Sequence, residues 1–130
     1  MKNNTTNIAA VPVSLRTLED EINYGEKKQQ GQRVPLHHEP TLRSWKLWRV
    51  IDNRFPYSGA FQTHHLLIPK RPVATNELNH EEKTELDEIL QEVSGSYDCY
   101  LVNFPSKQSV TNHYHVHLLK YKASREELGI

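Results

Sequence analysis

The segment NHYHVHLLKYK, residues 112–122, alternates three histidines with aromatic and apolar residues. Successive side chains of a β-strand point to opposite faces, so His113, His115 and His117 would share one face and their apolar neighbours the other. A helix would spread the three imidazoles over a wide arc. Because β-branched and aromatic residues back the row, and the run contains no Gly or Pro, the pattern predicts a strand with a line of imidazoles on one face.

The composition indicates a small, electrically neutral chain. Among 130 residues, Lys plus Arg and Asp plus Glu both number 16, which gives zero net charge with neutral histidines. This length predicts one main domain, and the balanced charge provides no global field that would attract nucleic acid or a membrane. The single cysteine, Cys99, excludes an intrachain disulfide framework and fits a reducing compartment. With no signal peptide and no apolar run of membrane-spanning length, we expect a soluble cytoplasmic protein.

Hydrophobic periodicity predicts two main helices. The first should begin with Ser14 as its N-cap and continue to about Lys28. The second should run over residues 79–93, because Asn79 and Glu82 can form a capping box ahead of an apolar stripe. Four further runs are predicted to be strands, at residues 45–51, 65–70, 96–104 and 113–121. The tight connection between the last two favours an antiparallel α+β sheet.

Three interpretations of the histidine row compete. The first is chance, since shuffling this composition produces His-x-His-x-His in roughly 3 per cent of chains. The second is a zinc site, but strand residues four apart are about 13 Å from each other, so one ion could not reach all three rings. Further ligands would be needed, for which His37-His38 and His64-His65 are the candidates.

The third interpretation is a phosphate site with a nucleophilic imidazole. Rings spaced about 7 Å apart along a strand could address a phosphoryl group from its centre and from both flanks. Crowded imidazoles disfavour one another's protonated forms, and neutral imidazole is a good nucleophile toward phosphorus. The flanking rings could then donate hydrogen bonds to developing negative charge. This chemistry requires no metal and no other cofactor.

The triad, followed by two apolar residues, resembles the signature of the histidine triad (HIT) superfamily of nucleotide-binding proteins. HHLLIPKR, residues 64–71, is similar to the family's strand His-x-Leu-Val-Ile-Pro-Lys, and Gln108-Ser109-Val110 to the Gln-Ser-Val that precedes its triad. Asn103 matches the family's strand-end asparagine. NRFPY, residues 53–57, resembles the Asn-Arg-Tyr-Pro-Tyr of the branch that handles diadenosine polyphosphates. Together these matches cover residues 45 to 120, whereas the first 43 residues match no part of the family.

The resemblance implies an α+β, HIT-like fold with a five-stranded antiparallel sheet and two main helices, usually as a homodimer. Residues 44–130 would form this domain, and residues 1–43 an N-terminal extension with a mobile tail, a helix and a linker. That extension would either lengthen a dimer interface or cover the site. The implied activity is that of a nucleoside phosphoramidate or dinucleoside polyphosphate hydrolase or nucleotidyltransferase. A catalytically degenerate nucleotide-binding module is the alternative.

The resemblance also assigns roles to individual residues. His115 would be the nucleophile that becomes nucleotidylated, His113 and His117 would contact phosphate, and His65 would be a fourth histidine close to the triad. Asn103 would bind ribose or phosphate. The full nucleotide-binding set is Ile51, Asp52, Asn53, Phe55, Asn103, Lys107, Gln108 and Ser109, with Asp52 and Asn53 at the ribose, Phe55 or Ile51 against the base, and Ser109 at phosphate.

The chain departs from the family pattern ahead of the triad. One extra residue separates Gln108 from His113, so either Gln108-Ser109 or Ser109-Val110 would face phosphate. Ser106-Lys107 replaces the family's Gly-Gly, and Lys107 could offer a charge where close backbone approach is lost. Substrate choice therefore stays open.

Overall fold

Five antiparallel strands form a single sheet in the computed structural model, which describes residues 10–31, 35–108 and 110–130. The spatial order is β1-β2-β3-β5-β4, and every neighbouring pair is antiparallel. The strands are β1 Arg43–Ser44, β2 Trp48–Asp52, β3 Phe61–Pro69, β4 Cys99–Leu101 and β5 Val116–Tyr121. The predicted five-stranded antiparallel α+β fold is confirmed, although the very short β1 was not predicted from the sequence.

Two longer helices and a short one accompany the sheet. They are α1 Leu18–Gln29, α2 His80–Glu92 and α3 Arg125–Leu128. Single 3-10 turns occupy Leu36–His38, Thr75–Glu77, Val93–Gly95 and Pro105–Lys107. No helix in the described ranges is long and apolar enough to cross a membrane.

Helix α2 begins as its sequence predicts. The Asn79 side chain accepts a hydrogen bond from Glu82 N at 2.8 Å, and the Glu82 carboxylate accepts one from Asn79 N at 2.9 Å. The Glu82 carboxylate is almost fully buried, and the Arg71 guanidinium lies 2.7 Å from it and holds its pKa below the usual range. Trp48 Nε1 also donates to the Glu82 carbonyl at 2.9 Å, so this helix start is tied to β2.

Helix α1 begins three residues later than the sequence predicts. Thr17, not Ser14, is the N-cap, and its side chain accepts a hydrogen bond from Asp20 N at 3.2 Å. The Ser14 hydroxyl instead donates to Glu21, one turn into the helix, at 2.5 Å. Residue 14 is therefore free of the helix geometry and belongs to the segment that leads into it.

The two faces of the sheet have different environments. One face packs on α2, where Trp48, Leu67, Val116 and Leu118 share a buried cluster with Ile89. The opposite face carries two smaller clusters, which contain Ile51, Leu66 and Ile68 in one and Tyr57, Phe61 and Leu119 in the other. His117 is paired with Leu66 across β3 and β5, so His117 belongs to the face opposite α2.

The capping box of α2 generates a stability prediction. Replacing Asn79 with alanine removes the acceptor for the Glu82 amide and should lower the free energy of unfolding by about 1 kcal/mol. Urea denaturation monitored by circular dichroism measures this change. Asn79→Ser keeps a side-chain acceptor and should therefore retain most of the stability that Asn79→Ala loses. Equal destabilisation by both substitutions would contradict a capping role.

Candidate functional site

The three triad histidines meet at the entrance to β5, on the sheet face opposite α2. The strand itself begins at Val116, so only His117 lies within it, while His113 and His115 occupy the segment just before. The predicted regular strand over residues 113–121 is therefore too long, because the Tyr114 amide bonds the Val73 carbonyl at 2.7 Å instead of a neighbouring strand. The ring centroids of His115 and His117 are 5.1 Å apart, closer than strand spacing predicts, and nearly perpendicular at 81°.

The fourth histidine of the cluster is His64, and the prediction of His65 is wrong. His64 Nε2 lies 2.7 Å from His117 Nδ1. His65, the next residue of β3, points to the other face, where its Nδ1 lies 2.7 Å from the Tyr97 hydroxyl. Strand alternation produces this exchange, because adjacent residues of β3 cannot both face the triad. The motif His-x-Leu-Val-Ile-Pro-Lys, aligned with residues 64–70, also has its histidine at His64.

A directed chain of hydrogen bonds fixes the protons on His64 and His117. The Tyr57 amide can only donate, and it bonds His64 Nδ1 at 2.8 Å, so this nitrogen carries a lone pair. The proton of neutral His64 is then on Nε2 and is donated to His117 Nδ1. His117 in turn carries its proton on Nε2, which lies 3.5 Å from both the Tyr57 hydroxyl and Asn103 Nδ2. Both rings are neutral in this arrangement.

Burial and neighbouring charge keep these two rings neutral over a wide pH range. Burial, followed by the Arg16 guanidinium and the nearby His115, lowers the pKa of His64 from 6.5 to about 3. Burial, followed by His115 and His64, lowers the pKa of His117 to about 2. A proton added to His64 Nδ1 would also face the Tyr57 amide hydrogen. His64 and His117 therefore keep their hydrogen bond while both rings stay uncharged.

His113 and His115 each use one ring nitrogen to hold the backbone. His113 Nε2 donates to the Pro69 carbonyl at 2.9 Å, and burial lowers the pKa of this ring. Its Nδ1 is buried and has no hydrogen-bond partner in the described part of the chain. His115 Nδ1 donates to the His113 carbonyl at 3.0 Å, which places the lone pair of the neutral ring on Nε2.

Tyr57 is the packing centre of the site. Its ring is stacked on His117, with centroids 5.0 Å apart and an interplanar angle of 26°, and lies 4.4 Å from the His64 ring. Its hydroxyl accepts a hydrogen bond from Asn103 Nδ2 at 3.2 Å, and Gln108 Nε2 donates to the Asn103 carbonyl at 3.1 Å. The predicted Asn103 and Gln108 thus reach the triad through Tyr57.

A pocket opens beside the triad on the side of β2. His115 and His117 line it together with the predicted residues Asp52, Asn53 and Phe55. The Asn53 side chain accepts from the Phe55 amide at 2.9 Å and contacts the His64 ring, so the NRFPY segment is anchored to the triad. The other residues that line the pocket include Arg16, Tyr24, Leu36, Leu66 and Val110.

Ile51 does not take the predicted place against a base. Its side chain is fully buried and packs with Leu66 and Ile68 beneath Leu36. Leu36 and Leu66 form the apolar wall of the pocket instead. The cause is the 3-10 turn Leu36–His38, which covers β2 and comes from the part of the chain that matched no family motif.

A larger groove adjoins the pocket on the side of β4. Asn103, Lys107 and Gln108 line this groove together with Tyr57 and Arg16. Lys107 is exposed within the short 3-10 turn Pro105–Lys107. Ser109 lies outside the described residues, whereas Val110 lines the pocket next to His115.

Tyr57, His64 and Arg16 were not assigned to the phosphate site from the sequence. Tyr57 ends the NRFPY motif and His64 begins the HHLLIPKR motif, so the spacing of both motifs could have identified them. Arg16 belongs to the N-terminal segment, for which no motif was available. Within residues 10–31, 35–108 and 110–130, no group of three or more His, Cys, Asp or Glu side chains is arranged to hold a metal ion.

Comparisons with known proteins agree with this architecture. A HIT family hydrolase from Legionella pneumophila Philadelphia 1 is 24% identical in sequence, with a TM-score of 0.51 over 74% of this chain and 89% of its own. A HIT-like protein is 20% identical, with a TM-score of 0.53 over 76% of this chain and 98% of its own. A HIT family hydrolase from Clostridium thermocellum is 18% identical, with a TM-score of 0.50 over 78% and 90% of the two chains.

These likenesses establish the fold. No family model matches the sequence, and no curated protein matches it. The chain therefore shares the fold of these HIT structures, at a sequence distance where the likeness shows the fold alone.

The lowered pKa values of His64 and His117 generate a pH prediction. The unfolded chain binds protons at these residues below pH 6.5 while the folded chain does not, so the free energy of unfolding should fall as pH drops below 6.5. At pH 5 the loss should be about 2 kcal/mol for each histidine. Urea denaturation at pH 7, 6 and 5 measures it. A His64→Asn/His117→Asn variant should show a clearly shallower dependence, and an unchanged slope would contradict buried neutral rings.

Proposed function

We propose that this protein is a hydrolase or nucleotidyltransferase that acts on nucleoside phosphoramidates or dinucleoside polyphosphates through a covalent nucleotidyl-His115 intermediate. The observation that carries the proposal is the hydrogen bond from His115 Nδ1 to the His113 carbonyl, 3.0 Å long. It places the lone pair of the neutral ring on Nε2, and such a nitrogen is a good nucleophile toward phosphorus. Two of the solved structures with this fold are HIT family hydrolases, which supports the same class of chemistry.

The reaction would proceed in two displacements at phosphorus. His115 Nε2 attacks the α-phosphorus, a P–N bond forms, and the leaving group departs with the electron pair of its broken bond and takes up a proton. The ring becomes cationic, and the His113 carbonyl stabilises that charge by accepting the Nδ1 hydrogen bond. Water or another acceptor then attacks phosphorus and loses a proton, and the P–N electron pair returns to Nε2.

The other histidines would orient and stabilise this reaction. His64 donates to His117 Nδ1 and so leaves the His117 proton on Nε2, beside the Tyr57 hydroxyl and Asn103, where it would bond a phosphoryl oxygen. His113 holds the segment before β5 by its bond to the Pro69 carbonyl. His65 takes no part, because its ring bonds Tyr97 on the opposite face.

The nucleoside would occupy the pocket beside the triad. The Phe55 ring and the apolar wall formed by Leu36 and Leu66 suit a base, and Asp52 and Asn53 suit the ribose hydroxyls. Asn103, Lys107 and Gln108 would face the phosphates from the adjoining groove. Ser109 is proposed for phosphate by its motif alone.

The covalent mechanism generates a kinetic prediction. His115→Asn should lower the turnover of an adenosine phosphoramidate and of diadenosine polyphosphates by several orders of magnitude, because it removes the nucleophile. Turnover should persist in the presence of a chelator. Initial rates measured by chromatography of the released nucleotide, with chelator present, test both expectations.

The adjacent pair of histidines in β3 offers a matched comparison. His64→Ala should lower kcat about a hundredfold, because the His117 ring loses the partner that orients it. His65→Asn should leave kcat near that of the wild type. Equal effects of the two substitutions would contradict the assigned geometry. If the wild type binds nucleotide without turnover, the proposed enzyme activity is wrong and the catalytically degenerate nucleotide-binding module is favoured.

We also propose that the protein forms a homodimer through the edge of the sheet at β4. Among the described strands β4 is the last of the sheet and pairs with β5 alone, and the exposed fractions of Tyr100 and Phe104 beside this edge are 57% and 83%. An exposed strand edge with neighbouring aromatic residues is a common site of chain association.

The dimer proposal predicts a change of mass in solution. Light scattering coupled to size exclusion should give the mass of a dimer for the wild type and shift toward the monomer for a Tyr100→Lys/Phe104→Lys variant, because charge is placed in an apolar contact. Leu42→Lys changes an exposed apolar residue next to β1 and should leave the mass unchanged. A monomeric wild type would contradict the proposal.

A further inference from the structure

The segment that leads into α1 is attached to the wall of the site. The Leu15 carbonyl accepts a hydrogen bond from the Gly59 amide at 2.8 Å, and the Thr17 amide donates to the Ser58 hydroxyl at 3.3 Å. A Cβ atom on Gly59 would lie 2.7 Å from the Leu15 carbonyl oxygen, so only glycine permits this approach without a shift. The loop between Asn53 and Gly59, which presents Phe55 and Tyr57, is thus covered by residues 15–17.

This attachment brings the Arg16 guanidinium into the site. The Arg16 side chain is only 10% exposed, its Nε donates to the Phe55 carbonyl at 2.9 Å, and its Nη1 lies 3.1 Å from the Glu21 carboxylate. The guanidinium carbon lies over the rings of Tyr24 and Tyr57, at 4.2 and 5.2 Å from their centroids. Nη2 donates to no acceptor within the ranges that the structure describes. The cation is therefore held by Nε and Nη1, and among the described residues Nη2 has no acceptor.

Arg16 stands at the boundary between the two cavities of the site. It lines the pocket that contains His115 and His117, and also the groove that contains Asn103 and Lys107. Its charge reaches the histidines, since after burial it is the next cause that lowers the pKa of His64, and it also lowers that of His117. A nucleotide that spans pocket and groove would pass this cation.

Arg54 also lines the pocket, but its situation is different. Its side chain is 57% exposed, and its Nε is bonded to the Glu39 carboxylate at 2.5 Å. A solvated, paired arginine contributes little to anion binding, whereas a buried guanidinium with fixed geometry loses less entropy when it binds a phosphate.

We propose that Arg16 binds a phosphoryl oxyanion of the nucleotide, so that the N-terminal segment completes the substrate site. This inference rests on the proposed function and names a residue from outside the recognised motifs. Nη2 would donate to a non-bridging phosphate oxygen while Glu21 keeps Nη1 and the Phe55 carbonyl keeps Nε. Glu21 neutralises the Arg16 charge when no nucleotide is bound. A phosphate that enters would then meet the oriented Nη2 donor of the guanidinium in a poorly solvated place.

The proposal predicts a loss of affinity that depends on phosphate. Arg16→Gln should weaken the binding of AMP or GMP about tenfold to a hundredfold, because a charged hydrogen bond is lost. Adenosine and guanosine, which lack the phosphate, should bind the variant and the wild type equally. Isothermal titration calorimetry of the full chain, at two salt concentrations, measures the dissociation constants of the nucleotides and of the nucleosides.

Matched variants separate charge from a general displacement of the segment. Arg43→Gln changes an exposed arginine of β1, outside both cavities, and should leave every dissociation constant unchanged. Arg16→Lys retains the charge but not the fork and should recover part of the lost AMP affinity. If nucleosides bind too weakly for calorimetry, the AMP affinity of Arg16→Lys tests the proposal instead. An AMP affinity of Arg16→Lys as low as that of Arg16→Gln would overturn it.

The outcomes distinguish this inference from the proposed function. Equal AMP affinity of wild type and Arg16→Gln, with turnover that still requires His115, overturns the role of Arg16 alone. AMP binding that depends on Arg16 in a protein without turnover supports the role of Arg16 and overturns the enzyme. Parallel losses for AMP and adenosine overturn phosphate recognition and assign Arg16 a structural role.

Discussion

The hydrogen bond between His64 and His117 is the interaction on which the site depends. Two buried imidazoles can share a proton at 2.7 Å only if one donates and the other accepts, and burial lowers the pKa of both rings so that both are neutral. The Tyr57 amide decides the direction, because it occupies the acceptor nitrogen of His64. A backbone amide in the loop after β2 therefore sets the proton positions on a ring in β5.

This dependence joins the triad to parts of the chain that supply no histidine. Tyr57 stacks on His117 and receives the Asn103 amide, so the loop after β2 and the end of β4 are coupled through one aromatic ring. Leu15 and Gly59 in turn join that loop to the segment before α1. The order of the site thus arises from three loops packed on two central strands, with its rings buried from water.

Much of the fold could be predicted from local patterns. The capping box of α2, the apolar runs of β2, β3 and β5, and the alternation around His117 are each determined within a few residues, and the structure confirms them. The choice of His65 was wrong although the motif His-x-Leu-Val-Ile-Pro-Lys, aligned with residues 64–70, has its histidine at His64. The register of β3 against β5 places that same residue on the face of His117. Ile51 was placed wrongly because the turn that covers it comes from a distant part of the chain. Arg16 belongs to the same class, since its position depends on tertiary contacts and on Gly59, 43 residues further along the chain.

The cation before α1 and the imidazoles before and within β5 come from opposite ends of the chain. Contacts of such large sequence separation form late, after most of the loop-closure entropy has been lost. A polypeptide that has paired β3 with β5 but not docked the segment before α1 would hold the imidazoles of His64 and His117 without the Arg16 guanidinium beside them. The cation would then stand beside the histidine cluster only when the fold is complete.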